Sequence, residues 1–186
     1  TAFLVADVSG HGVAAGLIMS MFKVLIKTFS RGLASPAEIL TRINQLLIED
    51  VNSDHFVTCF FAILHEESKE LVYCNAGHNP IILQSKDQVQ TLDSTNIFVG
   101  AVDDIQAEDR SIQVEPDSRI ILYTDGLTET MTPTGIQWEF DNFLKCCQIN
   151  RHLDCQSLLQ KVLEEVDSHR KGQPFADDLT IFIADL

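Results

Sequence analysis

Two helical segments in succession near the start of the chain decide what its first glycines can do. Residues 2–8, AFLVADV, read as a short apolar strand that stops at Ser9-Gly10. Residues 13–31 read as a helix, with Leu17, Met21, Val24, Leu25 and Ile26 near helical spacing and Gly32 placed to end it. The next segment is again helical. Ser35 is its N-cap, Pro36 lies in the first turn and Glu38 follows three residues on, opening a helix to about residue 50. Ile39, Leu40, Ile43, Leu46 and Leu47 form its apolar face. Gly10, Gly12 and Gly16 follow a strand and open a helix, as a dinucleotide-binding fingerprint would. That fingerprint needs a second parallel strand after the helix, ending in an acid that holds ribose. Strand, helix, helix provides no such unit.

The texture then changes. Residues 56–64 and 70–75 read as strands joined by a polar turn, and residues 80–84 and 88–92 as a hairpin around Lys86-Asp87. Further strands are expected at 111–114, 119–123 and 179–184, and helices at 140–147 and 154–169. Helices in blocks and strands in consecutive hairpins make an α+β fold, with antiparallel sheets covered by helices. The chain has 186 residues and shows neither a repeat nor a linker. One domain spanning 1–186 is expected.

The formal net charge is −14. Such a surface repels phosphate backbones, so nucleic acid is not an expected partner. Five cysteines, an odd number with no C-x-x-C pair, argue against a disulfide framework or a structural zinc site. Reduced thiols fit a cytoplasmic location. The apolar helix near the start carries Lys23 and Lys27, so no membrane contact is expected from this segment. The chain opens at Thr1 directly into a strand, which reads as a fragment of something longer.

Three acidic motifs stand at strand ends: Asp7 in ADVSGHG, Asp125 in LYTDGLTE, and Asp177-Asp178 in FADDLTIF. Aspartate is a short, hard oxygen ligand suited to Mg2+ or Mn2+. A neighbouring glycine lets the backbone turn and lets water or a carbonyl approach an ion. A single Asp-Gly pair is usually just a turn; three such aspartates beside apolar strands point to a site. His11 is a candidate proton donor to a leaving alkoxide if it faces that site. His78, in NAGHNP, reads as ordering the turn before Pro80, and Cys146-Cys147 as helix packing.

Taken in order, ADVSGHG, HFVTCFFAIL, NAGHNP, LYTDGLTE and ADDLTIFIADL resemble the metal-dependent protein phosphatases (PPM, protein phosphatase 2C-like). The resemblance is to their bacterial branch, related to stage II sporulation protein E and the sigma-factor regulators of the RsbU type. It covers nearly the whole chain. It implies two packed antiparallel sheets flanked by helices, a four-layer α-β-β-α sandwich, here N-terminally truncated. It implies two Mn2+ or Mg2+ ions per complete site, with Asp7 bridging them and the Val8 carbonyl helping to bind one. Asp125 and Asp177 complete the coordination, Asp178 acts from a second shell or through water, and Gly126 keeps the turn beside Asp125 open. The implied reaction is hydrolysis of phosphoserine or phosphothreonine on a protein by a metal-activated water. The implied substrate is a phosphorylated anti-sigma-factor antagonist with a STAS fold, and a sensor or receiver module would precede the domain. A non-catalytic interaction module of the same fold is the alternative.

Three departures stand out. The family's acidic motif upstream of the first strand is absent here, so the second ion is expected to be held weakly or not at all. His78 stands where eukaryotic relatives place an aspartate for a third metal, so no third site is expected. The family's Pro-Leu-Gly turn is replaced by IFVG at residues 97–100.

Overall fold

The computed structural model describes residues 1–31, 35–51, 55–86 and 88–186. The helix stop expected at Gly32 and the Asp87 half of the hairpin turn lie outside them. In chain order the elements are β1 (Ala2–Val8), α1 (Val13–Phe29), α2 (Pro36–Leu46), a π-helical turn (Leu47–Val51), β2 (Val57–His65), β3 (Glu70–Ala76), β4 (Ile81–Gln84), β5 (Val89–Leu92), β6 (Arg110–Gln113), β7 (Arg119–Tyr123), α3 (Glu139–Ile149), α4 (Cys155–Arg170) and β8 (Ile181–Asp185). Among the described residues the pairings between these strands are antiparallel, in keeping with the hairpin pattern. The chain divides into two compact units: Thr1–Pro80 with Asp93–Val114, and Ile81–Leu92 with Glu115–Leu186.

The first unit holds a four-stranded sheet in the order β1-β2-β3-β6. The period-2 alternation of β2 turns Val57, Cys59 and Phe61 toward the helices. There they join Ile18, Phe22 and Ile26 of α1 and Ile39, Leu40 and Ile43 of α2 in one apolar core. Ser35 caps α2 as expected, its hydroxyl accepting from the Glu38 amide at 3.0 Å. The Glu38 carboxylate does not return to complete a capping box; it pairs with Arg42 at 2.8 Å, one turn on.

Helical spacing places α1 where expected, but it does not mark the inward face. Of the five residues that suggested the helix, only Ile26 is in the buried set Ala15, Ile18, Phe22, Ile26. Leu17 and Val24 are 61% and 62% exposed and Met21 41%. The helix carries two apolar stripes, and helical period alone does not say which one meets the sheet.

The second unit holds the sheet β5-β4-β7-β8. Ile82, Ile121 and Tyr123 from its strands pack with Phe143 and Cys147 of α3 and with Leu158, Val162 and Val166 of α4. Asp154 caps α4 by accepting from the Ser157 amide at 2.8 Å. Arg119, almost wholly buried at the start of β7, donates from Nε to Asp185 and from a terminal nitrogen to the Leu153 carbonyl, both at 2.7 Å. That ties the sheet to the entry of α4. No helix among the described residues is long and apolar enough to cross a membrane.

All five cysteines are free thiols, and four are buried. Burial pushes the Cys74 thiol up to about 12 and raises Cys59, Cys146 and Cys147 as well. The thiolate is the reactive form. Iodoacetamide at neutral pH is therefore expected to leave these four unmodified in the native protein and to label them only on unfolding. Mass spectrometry after a timed pulse checks this; rapid native labelling of Cys74 or Cys147 would contradict the packing.

Candidate metal centre

Asp7 belongs to the first unit. It occupies the next-to-last position of β1, opposite Thr58 of β2. Its Oδ1 accepts from the Val8 amide at 2.9 Å, which orients the carboxylate at the strand end. Val8 itself is buried. Thr58 shares a 3.0 Å hydrogen bond with Nδ1 of buried His78, whose amide donates to Asn75 Oδ1. His78 thus orders the loop after β3, as its place before Pro80 suggested. The Ser9-Gly10 turn is held from the other side: Phe56 donates its amide to Ser9 Oγ, and His55 Nδ1 bonds the Ser9 carbonyl. A Cβ on Gly10 would come within 2.8 Å of the His55 ring. His11, by contrast, is exposed, and His55 is the histidine that braces this turn.

The replaced Pro-Leu-Gly turn has a structural account. Phe98 stacks on Phe56 with ring centroids 4.6 Å apart, and Val99 exchanges both backbone hydrogen bonds with Val57. The Phe98 ring fills the space where a Gly77 side chain would stand.

Asp125, Gly126, Asp177 and Asp178 belong to the second unit, where two segments are stapled together. The Thr124 amide donates to the Thr180 carbonyl, the Thr180 amide to Thr124 Oγ1, and that hydroxyl to the Asp178 carbonyl. Gly126 completes the approach: a Cβ there would lie 2.4 Å from the Asp178 carbonyl oxygen. The turn after β7 closes as the Glu129 amide and the Thr128 hydroxyl donate to the Asp125 carbonyl. Asp177 repeats the device seen at Asp7, its Oδ1 accepting from the following amide at 2.7 Å. Asp177 and Asp178 are exposed, whereas Asp125 is partly covered.

One acid was missed in the sequence. Partial desolvation raises the Glu129 carboxyl above its ordinary value, and the negative charges of Asp125 and Asp177 raise it further. Glu129 therefore senses both aspartates. Its signal was its place four residues after Asp125 in a turn.

The donor set suits a hard divalent cation. Asp125 Oδ1 is buried with no hydrogen-bond partner. A buried acceptor left so costs about 1–3 kcal/mol, and a cation satisfies it without a proton donor. Among the described residues, no three His, Cys, Asp or Glu side chains are gathered closely enough to hold an ion as they stand.

These features define a fold of the protein phosphatase 2C class. The SiaA-PP2C domain of Pseudomonas aeruginosa superposes over 100% of the chain and 75% of its own, with a TM-score of 0.88 at 17% identity. RsbX in complex with magnesium covers 99% of this chain and 80% of its own, with a TM-score of 0.67 at 19% identity. The family described as stage II sporulation protein E matches residues 1–186, and the chain belongs to that family. Phosphoserine phosphatase RsbU of Bacillus subtilis is 28% identical over 183 residues, 96% of this chain. The chain spans about half the length of the curated relatives it matches, 53% of RsbU and 45% of phosphoserine phosphatase RsbP.

Proposed function

We propose that the chain is the catalytic domain, 1–186, of a metal-dependent protein serine/threonine phosphatase. The observation that carries this reading is the buried, unpartnered Asp125 Oδ1 beside Gly126, in a chain that matches a phosphatase-containing family along its whole length. Asp7, Asp125 and Asp177 are the ligands in this reading, with the Val8 carbonyl contributing to one ion. Mn2+ or Mg2+ bound there would lower the pKa of water and offset charge on the phosphoryl oxygens. The residues of the chain do the rest. The stapled segments at 124–126 and 177–180 hold Asp125 just after β7 and Asp177 just ahead of β8. Asp178 orients water from outside the ligand set. His11, exposed after the Ser9-Gly10 turn, protonates the departing seryl oxygen. No covalent phosphoenzyme is required.

The substrate in this reading is a phosphorylated protein in bacterial sigma-factor signalling, of the STAS-type antagonist class, met in the cytoplasm. A sensor or receiver module would govern the domain. The named phosphoserine phosphatase relatives support the reaction class.

Mn2+-dependent release of phosphate from a phosphoserine protein tests the assignment. Calorimetry with Mn2+ is expected to show one ion held more tightly than the second. Two tight sites would overturn the metal expectation. Absence of turnover with every phosphoprotein tried, in a chain that still binds Mn2+, would favour the non-catalytic module.

A further inference from the structure

A second cluster of charge lies at the opposite end of β7 from Asp125. A cavity of about 390 Å³ in the second unit is lined by Gln84 at the end of β4, Lys86 just after it, Arg119 at the start of β7, and Arg151 and His152 before α4. Asp117 is the acid on its wall. Three of the chain's 13 lysines and arginines thus converge on one recess, although carboxylates outnumber them with 27. Arg119 is already committed to Asp185 and the Leu153 carbonyl. Lys86 and Arg151 are exposed and take part in none of the ion pairs found among the described residues.

The floor is polar as well. Gln84 is 3% exposed, and its amide nitrogen donates to the Cys147 carbonyl at 3.1 Å. That bond fixes the orientation of the amide and leaves Oε1 as a buried acceptor with no partner. Uncommitted cations call for an anion. An orphaned acceptor calls for a donor. The size suits a small ligand. Arg119 and Asp125 are separated by the length of β7 and the residues that follow, about 20 Å at strand rise, so the recess is not part of the aspartate site.

We propose that this recess is a binding site for a tetrahedral phosphate group, held by Lys86 and Arg151. At neutral pH inorganic phosphate carries both charge and a hydroxyl donor, which complements the cations and the glutamine together. The same phosphate chemistry has two sources, free inorganic phosphate and the phosphoryl group of a phosphoserine side chain. Nothing in this site depends on the catalytic reading.

Amide NMR on the metal-free 186-residue chain tests it, with inorganic phosphate and O-phosphoserine as separate titrants and sodium chloride at matched ionic strength as the control. Saturable shifts centred on residues 84–86 and 151–152 are expected with phosphate and not with chloride. The double substitution Lys86→Gln, Arg151→Gln is expected to weaken the apparent affinity about tenfold. Both positions are exposed, so an unchanged dispersion of the remaining amides is expected. Saturation by O-phosphoserine alone assigns the site to phosphoester side chains; saturation by inorganic phosphate assigns it to the free ion. Shifts that do not saturate, shifts that chloride reproduces, or unchanged affinity in the double variant overturn the proposal. Metal and turnover play no part in this measurement, so its failure leaves the phosphatase reading untouched.

Discussion

Asparagine in place of Asp125 is expected to lower Mn2+-dependent phosphate release by more than about 100-fold, since even an outer neighbour of a metal ligand is worth 10–100-fold. The fold should survive, because the substitution keeps the shape of the side chain. Thermal unfolding separates loss of the ion from loss of the fold. Mn2+ stabilises whatever state binds it, so the parent protein should melt higher with Mn2+ and the variant should not. Without metal the variant should melt slightly higher than the parent. It removes a negative charge from the group whose mutual repulsion, after desolvation, raises the Glu129 carboxyl. Full Mn2+-dependent activity in the variant, or an undiminished melting shift with Mn2+, would remove Asp125 from the centre.

Alanine at Gly126 is expected to be the most damaging single methyl in the second unit. Its Cβ would stand 2.4 Å from the Asp178 carbonyl oxygen, 3.0 Å from that carbonyl carbon and 3.2 Å from the Asp177 oxygen. All three are backbone atoms and cannot swing aside. Relief requires the 177–180 segment to draw away from Thr124, breaking the three hydrogen bonds that join them. Overpacking of this kind costs about 3 kcal/mol, a fall in Tm on the order of 10 °C for a chain this long. Mn2+ affinity should fall with it. Gly16→Ala in α1 is the control: a Cβ there meets nothing within 4 Å. In a helix interior that change is stabilising by about 0.5–1 kcal/mol. A Gly126→Ala protein with native Tm and Mn2+ affinity would mean that the two segments do not approach as described.

The order and type of the elements could be read from the chain because each carries a local signal. The 35–38 cap and the 119–123 strand appear where the residues suggest them, and α4 begins within a residue of the expected 154, with Asp154 as its cap. What could not be read was orientation. α1 has apolar residues at 13, 17, 21 and 24 and again at 15, 18, 22 and 26, so its period fits two faces. Only contact with β1 and α2 selects the second. The aspartates were visible as motifs next to strands. Their support was not, since the Thr124 staple and the His55 brace span 56 and 46 positions in sequence. Glu129 escaped notice for another reason: an exposed acid in a turn looks like ordinary surface until its neighbours' charges are known.

Asp177 stands just before β8, and among the described residues β8 is an outer strand of its sheet, zipped to β7 along one side. A strand paired on one side has fewer hydrogen bonds to break than an inner strand, so its local opening costs less. In the proposed site, cation capture and the seating of the chain's last strand are then one equilibrium: opening of β8 would loosen a ligand, and an ion held through Asp177 would hold the strand closed.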